Sequence, residues 1–334
     1  MDALDSIRQL YPPGERSNLD IQNIKGDAST RRYFRVKSPR GSAIACIDPA
    51  FCDATLGSYP FLIVHDLFAC HDIRVPEVYE TSGDTGVLLL EDCGNLMLQD
   101  EIPQLDADQL SARYRQIIDL LVRIQSIRPD EKTPESGIPF SLSFDEEKLM
   151  FEFDFFIEHA LRGYFAERLD GRAIAELRGE FLAIARLLVL PEHFVLNHRD
   201  LHSRNIMLSG DEPVVIDFQD ARLGLPQYDA VSLLRDSYVR LDLELVDELK
   251  RYHFDQLVRH NLTTMDEAEY FRLFDLMAFQ RNVKAVGTFC YQTTVIGNRA
   301  FEPCIAPTLA YLREYIDARP ELATAGRLLE PIIP

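Results

Sequence analysis

The chain has 334 residues, of which 46% are hydrophobic and 27% charged, with a formal net charge of −19. That length can bury a full core and form two lobes, and the composition is that of a soluble globular protein rather than a disordered one. So negative a chain repels a phosphate backbone, which excludes nucleic acid as a partner.

The first residues, Met1-Asp2-Ala3-Leu4-Asp5, lack the basic start of a signal peptide. The longest apolar runs, such as Val87 to Leu90 and Phe181 to Leu190, are too short or too interrupted to cross a bilayer. A cytoplasmic protein with no membrane partner is expected. Residues 20 to 92 alternate strand-like runs with turns: Tyr33 to Lys37, Ser42 to Ile47, a helix from Tyr59 to Cys70, then Glu77 to Glu80 and Val87 to Glu91. This is the pattern of a small nucleotide-binding lobe. Gly26 and the small Ala28 and Ser29 permit close backbone approach to phosphates, and Arg31, Arg32, Arg35 and Lys37 form the densest basic cluster of the chain. Strand alternation puts Arg31, Tyr33, Arg35 and Lys37 on one face and Arg32, Phe34 and Val36 on the other, so a merely solvated basic face stays open as an alternative. The segment Glu91-Asp92-Cys93-Gly94-Asn95 joins the lobes, giving expected domains of 1–92 and 93–334.

From about Ile102 onward helices dominate. Asp106 to Ile127 carries Ile117, Leu120, Leu121, Ile124 and Ile127 at helical spacing. A second helix is expected from Phe144 to Phe165, with Glu147, Glu152, Asp154 and Glu158 amid Phe151, Phe153, Phe155 and Phe156. Carboxylates beside aromatic faces suit sugar hydroxyls and C–H surfaces, which makes Glu152 and Asp154 candidate substrate contacts. The same pattern also fits a buried aromatic stripe with a solvated acidic face, or a site for a cationic aminoglycoside. The six cysteines show no C-x-x-C pair and no Cys/His cluster, so reduced thiols are expected and a zinc site is not.

The most informative stretch is His198-Arg199-Asp200-Leu201-His202-Ser203-Arg204-Asn205, followed twelve residues after Asn205 by Asp217 in Val-Val-Ile-Asp-Phe-Gln-Asp. Phosphoryl transfer needs little covalent help, so a protein must orient an acceptor hydroxyl and neutralise charge on the phosphate oxygens. Asp200 is the candidate base. The amide oxygen of Asn205 and the carboxylate of Asp217 suit Mg²⁺, a hard ion that takes oxygen ligands and keeps waters and substrate phosphates in its shell. His198, grouped with Asp200 in the catalytic loop, is expected to brace that loop rather than to move a proton. Gly210-Asp211-Glu212-Pro213 lies between the apolar runs Ile206 to Leu208 and Val214 to Ile216, which reads as a hairpin. Arg235 and Asp236, downstream, are candidates either to reach the substrate or to pair on a helix.

These motifs resemble those of the aminoglycoside phosphotransferase and choline kinase superfamily, relatives of protein kinases: Ile-Asp-Phe-Gln stands where a protein kinase has Asp-Phe-Gly, and no Ala-Pro-Glu segment follows. Gly26 to Val36, Asn197 to Asn205, and Asp217 to Ala221 with Tyr228 to Asp236 are most similar to the bacterial N-acetylmuramate and N-acetylglucosamine 1-kinases of peptidoglycan recycling, over roughly residues 20 to 315. The resemblance implies an α+β, protein-kinase-like two-lobed fold, ATP and Mg²⁺ as cofactors, a small amino sugar as acceptor, and a monomer. It implies nucleotide contacts at Gly26, Ser29 and Thr30, and adenine contacts from the backbone of Glu91 and Cys93. It also implies that Asp229 accepts backbone N–H bonds from the catalytic loop. The superfamily's strand lysine and helix glutamate are both missing, since the strand reads Ala43-Ile44-Ala45-Cys46-Ile47-Asp48 and the helix from Tyr59 to Cys70 has no Glu. Arg32 is the expected substitute cation. Another small-molecule kinase of the superfamily, acting on an aminoglycoside, choline or another amino alcohol, stays open. So does a non-catalytic nucleotide-binding regulator, although the intact Asp200, Asn205 and Asp217 oppose it.

Overall fold

The computed structural model describes residues 2–24, 31–166 and 168–334. It opens with helix α1 (Ala3–Gln9), followed by strands β1 (Asp20–Ile24), β2 (Arg32–Ser38) and β3 (Gly41–Ile47). Helix α2 (Pro60–Cys70) and strands β4 (Val78–Ser82) and β5 (Val87–Glu91) come next. The strands form one antiparallel sheet in the order β1-β2-β3-β5-β4. Alternation decides its faces. Phe34, Val36, Ala43, Ala45, Val87 and Leu89 pack on Ala3, Ile7 and Tyr11, so α1 covers one side. Tyr33, Arg35, Ile44 and Cys46 lie on the opposite side by the same alternation.

Helices then take over: α3 (Leu98–Glu101), α4 (Ala107–Ser126), α5 (Glu146–Phe156) and α6 (Gly171–Leu188). Asp106 caps α4 by accepting from the Gln109 amide at 2.9 Å, while Gln109 Oε1 accepts from the Asp106 amide at 3.0 Å. The helix expected from Phe144 to Phe165 is divided: α5 ends at Phe156 and continues as wider π-helical turns over Ile157–Tyr164. Short strands β6 (Val195–Asn197), β7 (Ile206–Ser209), β8 (Glu212–Val215) and β9 (Arg222–Gly224) follow. β7 and β8 form the expected hairpin, and β6 pairs with β9. Helices α7 (Gln227–Leu234), α8 (Leu243–Arg259), α9 (Glu267–Tyr291), α10 (Ile305–Ala318) and α11 (Ala323–Leu329) complete the chain. No helix among the described residues is long and apolar enough to cross a membrane.

The result is an α+β fold with an antiparallel N-terminal lobe and a helical C-terminal lobe. Two compact units are present, one of Met1–Met97 with Ile206–Gln219 and one of Leu98–Asn205 with Asp220–Pro334. The hairpin belongs to the first because the Leu208 amide donates to Leu96 O and the Val215 amide to Arg74 O, both at 2.9 Å. In the second, the buried α9 lies close to α5 at Gly287, where a Cβ would stand 2.8 Å from the Phe156 Cα.

Candidate active site

Within the second unit, β6 delivers the chain into the loop 198–205, and a buried carboxylate shapes that loop. Asp229, in the first turn of α7, accepts from the His198 amide at 2.5 Å and from the Arg199 amide at 3.0 Å. These bonds hold Arg199 in the left-handed region, φ +88°, a strained setting for a non-glycine residue. Burial pushes the Asp229 carboxyl up to about 7, against the opposing pull of the amide bonds and Arg281. His198 is fully buried, and its Nδ1 accepts from the Asp200 amide at 3.3 Å, so it positions the loop and does not face a reactant. Asn205 closes the loop by donating from Nδ2 to Asp200 O at 2.9 Å.

Asp200 sits among cations from a helix that the sequence motifs do not mark. On α9, Lys284 Nζ lies 2.9 Å and Arg281 Nη2 3.2 Å from Oδ1, while Arg199 Nε lies 3.9 Å from Oδ2. Burial alone would raise the carboxyl's pKa, but the charges of Lys284, Arg199 and Arg281 override it and hold Asp200 well below the usual carboxylate range. His202 is lowered too, to about 3 mainly by burial, and is neutral at physiological pH. Arg199 also pairs with Asp220 at 2.7 Å, and Arg222 stacks over Phe144 at 5.5 Å. Lys148 on α5 has its pKa lowered by burial and by the charges of Arg199, Arg222 and Lys284. A group of cations therefore surrounds the aspartate in a strongly acidic protein.

The expected substrate contacts already have partners within the fold. Glu152 is buried, accepts from Gln280 Nε2 at 2.9 Å and lies 3.8 Å from Lys148. Asp154 points elsewhere, to a bidentate pair with Arg178 of α6 at 2.7 and 2.8 Å. Residues two apart on a helix do not share a face, which is why the two could not form one acidic surface. Arg235 and Asp236 are likewise committed inside the fold. Arg235 pairs with Glu314, donates to Tyr315 Oη at 2.7 Å and stacks over Tyr311, while Asp236 accepts from the Ser203 and Tyr238 amides, each at 2.9 Å. Asp236 thus braces the far end of the loop 198–205.

In the first unit, Asp217 follows β8 with φ +65° and accepts from Gln219 Nε2 at 2.9 Å. The next residue, Phe218, is buried against Phe61 and Phe68 of α2, with ring centroids 4.9 and 5.8 Å away. At the lobe connection, the Glu91 amide donates to Glu77 O at 2.8 Å. The Glu91 side chain pairs with Arg74 at 2.5 Å. Cys93, half-buried, has its thiol pushed up to about 11 by burial. Arg35 fastens the connection through Asp92 at 2.7 and 2.9 Å, Gly94 O at 2.9 Å and Asn95 at 2.7 Å, which makes it structural. Arg32, expected as the phosphate cation, is exposed and stacks on Phe34 at 5.2 Å, on the face that α1 covers. Gly26, Ser29 and Thr30 lie outside the described residues.

Residues 20–267 match the model of the phosphotransferase enzyme family. The chain belongs to that family. The phosphotransferase is 29% identical over 335 residues to an N-acetylmuramate/N-acetylglucosamine kinase of Neisseria meningitidis, covering 98% of this chain and 94% of that one. It is 30% identical over 320 residues to the enzyme of the same name from Pseudomonas putida, covering 95% and 89%. Among solved structures, the ethanolamine kinase of Plasmodium vivax shares the fold with a TM-score of 0.65 at 17% identity, covering 96% of this chain and 88% of that one. A phosphotransferase's chemistry implies Mg²⁺, which takes oxygen donors. In the second unit the Nδ2 of Asn205 is tied to Asp200 O, which leaves its amide oxygen as an acceptor; in the first, Asp217 carries an anionic oxygen.

Proposed function

We propose that this phosphotransferase is an ATP-dependent sugar kinase that phosphorylates the anomeric C1 hydroxyl of N-acetylmuramate or N-acetylglucosamine and serves peptidoglycan recycling in the cytoplasm as a monomer. In this reading residues 1–92 bind the nucleotide and 93–334 carry the catalytic loop and the acceptor. The observation that carries it is the setting of Asp200, an ionised carboxylate held by Lys284, Arg281 and Arg199. The names of the two bacterial relatives support the choice of sugar.

Asp200 accepts the hydrogen bond of the acceptor hydroxyl and aims its oxygen at the γ-phosphorus. A carboxylate so acidic is a weak base at rest. It therefore takes the proton late, as the new O–P bond forms, the bond from the γ-phosphorus to the departing ADP breaks and the hydroxyl becomes acidic. Asp229 and His198 keep it in place by holding the loop backbone. Asn205 and Asp217 would hold Mg²⁺, which when bound neutralises charge on the phosphate oxygens. The cations Lys148, Arg199, Arg222 and Lys284 disfavour polycationic aminoglycosides and choline, and they suit a neutral sugar or one bearing a carboxylate, as N-acetylmuramate does. Phosphorus NMR of the product made from each sugar tests the reading. A phosphate coupled to the anomeric proton is expected; a 6-phosphate alone would remove the C1 assignment, and ATP consumption unstimulated by either sugar would remove the sugar.

A further inference from the structure

The strand lysine and helix glutamate of the superfamily are both absent, and the structure holds a different ion pair on the same sheet. β2 and β3 run antiparallel with Arg32 opposite Ile47 and Tyr33 opposite Cys46, so Arg31 stands across from Asp48. Arg31 Nε donates to Asp48 Oδ2 at 2.9 Å. The Tyr59 hydroxyl donates to the same oxygen at 2.5 Å, and the Ala50 amide donates to Oδ1 at 2.8 Å. Asp48 is 5% exposed, and although burial raises its pKa, the bonds from Tyr59 and Arg31 bring it below its ordinary value. This is a built anchor. Buried carboxylates with three donors fix whatever cation they hold, and a guanidinium with five N–H groups can bind an anchor by one edge and an anion by another.

Two further observations give the pair a direction. By strand alternation Arg31 shares the sheet face of Tyr33 and Cys46, opposite to the one α1 covers. Its brace, Tyr59, begins an aromatic row within the same unit: Tyr59 to Phe61 at 6.4 Å, then Phe61 to Phe218 at 4.9 Å, the residue next to Asp217. The Tyr33 hydroxyl, which hydrogen-bonds with Arg31, feels the charge of Asp217. The anchored cation and the proposed metal-binding carboxylate thus belong to one packed neighbourhood.

We propose that Arg31, anchored by Asp48 and Tyr59, is the cation that holds the α- and β-phosphates of the nucleoside triphosphate in this phosphotransferase. The assignment rests on the ATP-dependent reading above. It replaces a lysine that a glutamate from a helix would hold with an arginine just before β2 that an aspartate just after β3 holds, and it moves the support from α2 itself to Tyr59, the residue that caps it.

Calorimetric titration of the full chain with ATP, ADP and adenosine tests it. Arg31→Met is expected to weaken ATP and ADP binding by roughly 10- to 100-fold, the span for a hydrogen bond to a charged group, with adenosine binding unchanged within about twofold. Arg31→Lys should fall between, and Asp48→Asn should weaken ADP but not adenosine, because the guanidinium loses its anchor. Arg32→Met, on the other face, should leave ATP binding unchanged within about twofold. A merely structural Arg31 would lower melting temperature and weaken all three ligands together, which overturns the proposal. An ATP-to-adenosine affinity ratio in Arg31→Met equal to wild type overturns it as well, as does an equal loss in Arg32→Met. Should Arg31→Met not fold, the same ratio in Arg31→Lys decides. Wild-type protein that binds adenosine and ATP equally, or neither, is a different result, since it rejects the nucleotide reading itself before any variant is compared.

Discussion

Replacing Lys284 with methionine keeps most of the side chain's length and removes its charge, which isolates what that charge does to Asp200. The ammonium lies 2.9 Å from the carboxylate, closer than Arg281 at 3.2 Å or Arg199 at 3.9 Å. An opposite charge at such range lowers a carboxyl pKa by roughly 1–3 units. Without it, burial is less fully opposed and the Asp200 pKa rises. The acid limb of kcat/KM should therefore move up by roughly 1–3 pH units in Lys284→Met, since the free enzyme loses its ionised aspartate at a higher pH. Stability moves with it. The folded pKa of Asp200 lies below the unfolded one, so its contribution is present above an unfolded value of about 3.9 and is lost as pH falls through the folded pKa. Reducing the depression by that amount should lower neutral-pH stability by roughly 1–4 kcal/mol. Steady-state kcat/KM measured from about pH 2 to 8, with thermal melts at each pH, gives both readings. An acid limb that stays in place while the rate falls would refute the reasoning and leave Lys284 with some role other than setting the charge of Asp200.

Asp217→Asn should keep the backbone, because asparagine also tolerates the left-handed region that Asp217 occupies at φ +65°. Its apparent Mg²⁺ affinity should drop by at least the roughly 10–100-fold seen when only a ligand's supporting bond is lost, read from rates titrated against Mg²⁺; Asn205→Ala should drop less, and a wild-type response in Asp217→Asn removes the metal assignment. Gly287→Ala introduces a Cβ 2.8 Å from the Phe156 Cα, so α9 must shift from α5 at a cost of roughly 1–3 kcal/mol. Because α9 also carries Arg281 and Lys284, kcat should fall alongside the melting temperature, and a melting temperature equal to wild type contradicts the tight packing.

What was legible in the sequence was what lies close together in it. The loop from His198 to Asn205, the hairpin and Asp217 form one run of twenty residues, and α4 declares itself by apolar period and by its Asp106 and Gln109 capping pair. β1 was missed because it is a polar edge strand, Asp-Ile-Gln-Asn-Ile, held by pairing with β2 rather than by a hydrophobic alternation. Arg281 and Lys284 were missed because they approach Asp200 from some eighty residues downstream. The one available sign was two basic residues three apart on a helix whose other faces are apolar, a pattern that needs a buried acid somewhere. Adjacent arginines carried the reverse difficulty. Arg31 and Arg32 are indistinguishable by type, and only the register of β2 against β3 separates the one across from Asp48 from the one beside α1.

The hairpin that returns to the first unit has a consequence for biosynthesis. A nascent chain that has released Met97 still lacks β7, β8 and Phe218, and the rings of Phe61 and Phe68 have no Phe218 to cover them. That cover is translated about 120 residues later, which at 5–20 residues per second is a delay of roughly 6–24 s. During this interval the Phe61 and Phe68 rings of α2 lack that cover. The amino-terminal lobe is thus finished by residues 206–219, and a ribosome stalled before residue 206 holds a lobe that no amount of waiting can close.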